Sequence, residues 1–142
     1  MLRTIIRILA FLFGPKQVLT ITDPLVIDGD TIWHAGKKYR LHGIDAPELS
    51  QPGGEEAKRM LFSLVNGRTL AVKVVDTDAY GRMVARLHCG RQDISAALVA
   101  SGHALARHDL YRNDERRARK CKTGLWSRGG ISDPAEWRRR AA

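Results

Sequence analysis

The sequence predicts an α+β domain, a five-stranded OB-fold of Greek-key type with about three helices. Three observations lead there. Between Val18 and His88, five short stretches rich in β-branched and aromatic residues are separated by glycine-containing turns. One segment of helical periodicity interrupts them after the third, and the other helical patterns fall late in the chain. The length of 142 residues suits one domain with its own core. That order of elements, with an inserted helix and helices at the end, suggests a small Greek-key barrel of the OB type.

Val18 to Ile27 is the first strand, with Pro24 marking an edge or a bulge. Asp28-Gly29 should close a hairpin to Ile32-Trp33, glycine being expected to supply a positive φ. Ala35-Gly36-Lys37 closes a second hairpin, to Tyr39–Ile44. Glu48 to Gly54 is a loop by composition. Ala57, Met60, Leu61, Leu64 and Val65 recur at helical spacing, and Asn66-Gly67 ends that helix. Leu70–Asp76 and Met83–His88 are strands joined by the turn Thr77–Arg82. Asp93 is a candidate N-cap for a helix that Gly102 stops. A last, highly charged helix should start at Asn113 or Asp114 and stop before Gly124. The expected organisation is an N-terminal apolar segment (1–17), the barrel domain (18–128) and a basic C-terminal tail (129–142) that Trp137 anchors.

Composition narrows the partner. The formal net charge is +9, and the last 36 residues carry six of those nine charges. A basic chain of ordinary hydrophobic content points to a polyanion, although a solvated face explains charge alone equally well. Cys89 and Cys121 match no zinc spacing, and the five histidines form no set with them. Either a disulfide or two free thiols is compatible with that count. Met1 to Phe13 is apolar but broken by Arg3 and Arg7, too short an uninterrupted run to span a bilayer. It reads as an export leader, an anchor or a membrane-surface helix, and export or membrane association weighs about the same as a cytoplasmic location. Nothing in the sequence points to a protein partner, and a monomer is expected.

The carboxylates give the sharper signal. Asp28, Asp30, Asp45 and Glu48 crowd into 21 residues of this basic chain. A meander would bring Asp30 and Asp45 to the bases of neighbouring strands, where paired carboxylates need a cation, a proton or a catalytic use. Arg40 lies in a strand between Tyr39 and Leu41, and an inward arginine usually meets an anion. Each piece taken alone is ordinary, since D-G and D-x-Y-G-R also make plain turns.

In order, D-G-D-T (28–31), R-L-H-G-I-D-A-P-E (40–48), D-A-Y-G-R (78–82) and G-L-W (124–126) resemble the staphylococcal nuclease-like (thermonuclease) family. The resemblance runs from about Val26 to Trp126. The end, D-P-A-E-W-R-R, is similar to an extension in some bacterial members. It implies a calcium-dependent nuclease acting on DNA, and on RNA, with little sequence preference. By that resemblance Asp30, Asp45 and the main-chain carbonyl of Ala46 bind Ca²⁺, a hard ion suited to oxygen ligands. Glu48 positions or deprotonates the attacking water. Arg40 and Arg82 clamp the phosphate. Tyr80 meets the nucleotide's terminal phosphate, and Tyr111 is the available base-stacking ring. Asp28 supports the turn. The chain has Ala79 where the family's nuclease prototype has Lys, and one tyrosine where the prototype has several. The rival is a non-catalytic OB-fold module that binds nucleic acid; a third possibility, suggested by the N-terminal segment alone, is an accessory protein of envelope or polysaccharide processing.

Overall fold

The computed structural model describes residues 18–142; the expectations for residues 1–17 lie outside it. Among the described residues nine strands form where five were expected, because some expected strands are subdivided and short pairs are added. β1 (Val18–Thr22) and β2 (Leu25–Asp28) are the predicted first strand, broken at Asp23, which has φ +49°, and Pro24. β3 (Thr31–His34), β4 (Lys37–Leu41), β6 (Thr69–Thr77) and β7 (Met83–Cys89) are the other principal strands. β5 (Ile44–Asp45), β8 (Gln92–Asp93) and β9 (Leu105–Ala106) are two-residue pieces.

The main sheet runs β1-β6-β7-β4-β3-β2, with β8 on β7. Its two edges are therefore the two halves of one bent strand. The break at Asp23-Pro24 lets one segment pair with β6 on one side and β3 on the other. The sheet curls back on itself, as the barrel expectation requires.

Among the described residues there are four α-helices: α1 (Gly54–Val65), α2 (Ile94–Ala100), α3 (Arg112–Lys120) and α4 (Pro134–Ala141). α1 buries Gly54, Ala57, Leu61 and Val65 along one stripe against the sheet. Ile32, Leu41, Leu70, Val72, Leu87, Ile94 and Leu98 complete a single core. Asp93 caps α2, accepting a hydrogen bond from the Ala96 N–H, as its position in the sequence suggested. The basic C-terminal tail contains the helix Pro134–Ala141. Asp133 accepts from the Ala135 N–H and Pro134 occupies the first turn, both helix-starting features.

Gly29 has a different task from the one expected. It lies outside the left-handed region, so the turn does not use positive φ. A Cβ there would stand 2.7 Å from the Cβ atoms of both Ala46 and Ala57. Glycine at this position lets the β2–β3 turn press against α1 and the segment carrying Asp45. Gly54 does the same for the next loop, since its added Cβ would meet the Glu48 carbonyl oxygen at 1.9 Å. Both glycines let acidic segments lie close against α1. Cys89 and Cys121 are free thiols.

Candidate active site

Strand pairing assembles the site. Thr31 pairs with Arg40 across β3–β4, and the Leu41 N–H donates to the Asp30 carbonyl at 2.8 Å, placing Asp30 beside the end of β4. The parallel pairing of β4 with β7 matches Tyr39 to Met83 and so brings Arg82, just before β7, to the same region. β5 pairs with β9, Asp45 against Leu105, which sets Arg107 next to Asp45.

Asp30 and Asp45 are both buried. One nitrogen of Arg40, Nη2, lies 3.0 Å from Asp45 Oδ1 and 3.5 Å from Asp30 Oδ2. The two carboxylates therefore converge on one guanidinium, as the meander argument required. Arg40 Nη1 donates to the Ile44 carbonyl at 3.0 Å, which fixes the fork in place. Asp30 also accepts from the Thr31 hydroxyl (3.2 Å) and the Ala46 N–H (2.8 Å). Burial pushes the Asp30 carboxyl up to about 7, with Asp28 and Asp45 adding to the effect and Arg40 and the Ala46 N–H opposing it. Asp28 accepts from the Asp30 N–H at 3.1 Å, the turn-supporting role expected of it.

Arg82 is held by its neighbour in the turn. Asp78 Oδ2 accepts from Arg82 Nε at 2.6 Å, while Asp78 Oδ1 accepts from the Tyr80 and Arg82 N–H groups at 2.9 Å each. The two terminal nitrogens of the fork take no part in that ion pair, and Arg82 lines a cavity of about 490 Å³. Asp28, Asp30, Lys38, Arg40, Glu48, Tyr80, Arg82 and Arg138 line it. Asp30, Arg40, Glu48, Tyr80 and Arg82 are thus brought together, with Asp45 behind Arg40. Ala46 adjoins them through its N–H on Asp30.

Tyr111 is not there. It is 2% exposed, belongs to the core, and donates its hydroxyl to Asp93 Oδ2 at 2.8 Å. Burial and the Asp93 carboxylate push the Tyr111 phenol up to about 12. A ring enclosed in this way cannot stack on a base, which corrects the substrate-binding role expected for it. The exposed rings near the cavity are Tyr80, which lines it, and Trp33, which borders an adjoining groove with Lys37, Lys38, Tyr80 and Arg82.

Sequence reasoning missed Lys38 and two arginines. Arg107 Nη2 donates to Asp45 Oδ2 at 3.2 Å and to Asp133 at 2.5 Å. Arg138, from α4, donates to both oxygens of Asp45 at 3.3 Å and to Glu48 Oε1 at 2.5 Å. Burial works against charge on both arginines, but their carboxylate hydrogen bonds outweigh it and raise both above the usual value. The helix-starting pair Asp133-Pro134 was the available signal for α4. No local signal marks Arg107.

Asp30 and Asp45 offer hard carboxylate oxygens at one place, and the burial of Asp30 leaves its charge poorly compensated. That donor set fits a hard divalent cation in kind. Among the described residues, however, no group of three or more His, Cys, Asp or Glu side chains is gathered as a metal site. Guanidinium groups are what surround Asp45 and reach Glu48 in this structure.

Comparison with known proteins shows the family. The family model for staphylococcal nuclease homologues matches residues 38–128, a range that takes in Arg40, Asp45, Glu48 and Arg82. The probable staphylococcal-like nuclease CAN2 of Oryza sativa subsp. japonica is 36% identical over 110 residues, covering 72% of this chain and 30% of that protein. An uncharacterized endonuclease of Escherichia coli O157:H7 is 34% identical over 126 residues, covering 81% of this chain and 82% of that protein. Another, from Haemophilus influenzae, is 33% identical over 124 residues, covering 80% and 70%. The matched part thus spans about a third of the plant relative's length and most of each bacterial one.

Proposed function

The chain belongs to the staphylococcal nuclease family, and on that footing we propose that it is a calcium-dependent nuclease hydrolysing DNA and RNA with little sequence preference. The observation that carries the proposal is the gathering of Asp30, Arg40, Glu48 and Arg82 around one open cavity, with Asp45 bound to Arg40. A mere binding module has no use for buried carboxylates beside arginines at that place.

In this reading Asp30, Asp45 and the Ala46 carbonyl hold Ca²⁺. When bound, the ion supplies Lewis-acid polarisation of a phosphodiester oxygen. Arg40 and Arg82 bind the other phosphate oxygens through planar forks and offset the charge that grows on them at the transition state. Asp78 holds the Arg82 fork by Nε, which leaves its terminal nitrogens for a phosphate. Glu48 accepts a proton from the attacking water as the new P–O bond forms. The P–O bond to the leaving oxygen breaks, and that oxygen takes a proton from solvent. Lys38 and the lysine-flanked Trp33 edge give the neighbouring nucleotides sequence-independent contacts.

The test is cleavage of plasmid, single-stranded DNA and RNA in Ca²⁺, with and without chelator, alongside Glu48→Gln. Calcium-dependent cleavage that the variant lacks supports the enzyme. Binding of nucleic acid with no cleavage under any of these conditions leaves the non-catalytic module.

A further inference from the structure

Asp45 has no free acceptor capacity. An ionised carboxylate offers about four lone-pair positions, and four N–H donors occupy them here. Oδ1 accepts from Arg40 at 3.0 Å and Arg138 at 3.3 Å; Oδ2 accepts from Arg107 at 3.2 Å and Arg138 at 3.3 Å. A cation can reach Asp45 only if a donor leaves. The three arginines are not equal in this respect. Arg40 is also tied to the Ile44 carbonyl, and its side chain is 19% exposed. Arg107 is also tied to Asp133. Arg138 has the longest contacts to Asp45, its side chain is 47% exposed, and among the described residues that side chain hydrogen-bonds only to Asp45 and Glu48.

We propose that Arg138 is a built-in counter-ion of the cation site, excluding the divalent ion from Asp45 and Glu48 until its guanidinium swings away. The inference rests on the proposed reading of Asp30 and Asp45 as cation ligands. Its further content is that a residue of the C-terminal helix, outside the segment 38–128 that the family model matches, sets the affinity of that site. The helix itself need not undock. Trp137 Nε1 donates to the Ser50 hydroxyl at 3.1 Å, Gln51 donates to the Ser132 carbonyl at 2.6 Å, and Pro134 is buried. These contacts hold α4 beside the 48–51 loop while one side chain moves. In the metal-free protein the same guanidinium relieves repulsion between Asp45 and Glu48, which keeps the acidic cluster folded.

The experiment is calorimetric titration of Ca²⁺ into the full chain, compared with Arg138→Gln, Arg139→Gln and Asp45→Asn, each checked for folding by circular dichroism. Arg139→Gln removes the same charge from the neighbouring position, where no contact to the site exists. The expected result is roughly tenfold or greater tightening in Arg138→Gln, a change within about twofold in Arg139→Gln, and loss of binding in Asp45→Asn. Should Arg138→Gln misfold, Arg138→Lys replaces the two-nitrogen fork by one ammonium and should show a smaller tightening in the same direction. Unchanged or weaker binding on removal of the fork overturns the inference and leaves the calcium reading standing. Absence of Asp45-dependent binding in every protein, Arg138→Gln included, removes the calcium reading and the inference with it.

Discussion

Replacing Asp30 by Asn should stabilise the metal-free protein at alkaline pH. Burial dominates the Asp30 environment and pushes its carboxyl from 3.8 to about 7. A shift of about three units, at 1.36 kcal/mol each, means ionised Asp30 costs the fold up to about 4 kcal/mol well above pH 7. The sign follows from proton binding. Between 3.8 and about 7 the native state holds a proton that the unfolded state has lost, so this group's contribution falls as pH rises through that window. Asn mimics the protonated carboxyl and still accepts from the Ala46 N–H, but it forgoes attraction to Arg40 at 3.5 Å. A gain of roughly 2–4 kcal/mol at pH 8.5 is expected, or about 6–12 °C in Tm for a chain of this size. The gain should vanish below about pH 4. Thermal or urea melts of both proteins in chelator, across that range, measure it. The order should then change with calcium, because a ligand at a hundred times its Kd adds about 2.7 kcal/mol to the parent and little to the variant. A variant less stable than the parent at pH 8.5 in chelator would show that Arg40 outweighs burial, and the reasoning would fail.

Removing the Arg82 fork (Arg82→Ala) should lower kcat by roughly 10²–10³-fold while leaving calcium affinity within about twofold, as read by single-turnover cleavage and calorimetry. Gly29→Ala forces a Cβ into two alanine methyls at 2.7 Å and should cost about 1–3 kcal/mol in a urea melt, with no left-handed backbone strain involved. Trp33→Ala should weaken binding of a short single strand by about 1–3 kcal/mol in anisotropy titrations, whereas Tyr111→Phe should leave it unchanged.

The parts of the fold that were legible in the sequence depend on neighbours along the chain. The Ala35-Gly36 hairpin turn, the α2 cap at Asp93 and the apolar stripe of α1 are set within a few residues of one another. The convergence of Asp30 and Asp45 followed from two consecutive turns. Features set by distant packing were misread or missed. Gly29 is required by Ala57, 28 positions away, so its local pattern suggested a turn conformation that it does not adopt. Tyr111 resembled an available ring until Asp93, arriving on β8, engaged its hydroxyl within the core. Arg138 reaches Asp45 across 93 positions, and three consecutive arginines in a sequence do not reveal which one turns inward.

The charge pattern at the site gives these pieces a common logic. With every group ionised, Lys38, Arg40, Arg82 and Arg138 face Asp28, Asp30 and Glu48 in the cavity; with their direct partners Asp45, Asp78, Asp133 and Arg107 the cluster holds five cations and six anions. A site so balanced has little net attraction for a polyanion at close range, whatever the chain's overall charge does at long range. Adding a divalent cation turns that slight negative excess into a net positive charge. If that cation also frees Arg138 from Asp45, the guanidinium remains in the same cavity, where a phosphodiester is the anion available to it. Close-range phosphate binding should then be conditional on the metal, while the chain's net charge of +9 attracts nucleic acid with or without it. The salt dependence of binding separates the two contributions. Calcium should raise affinity for a dinucleotide confined to the cavity far more than for a long strand, and equal gains for both would place the metal's effect outside this site.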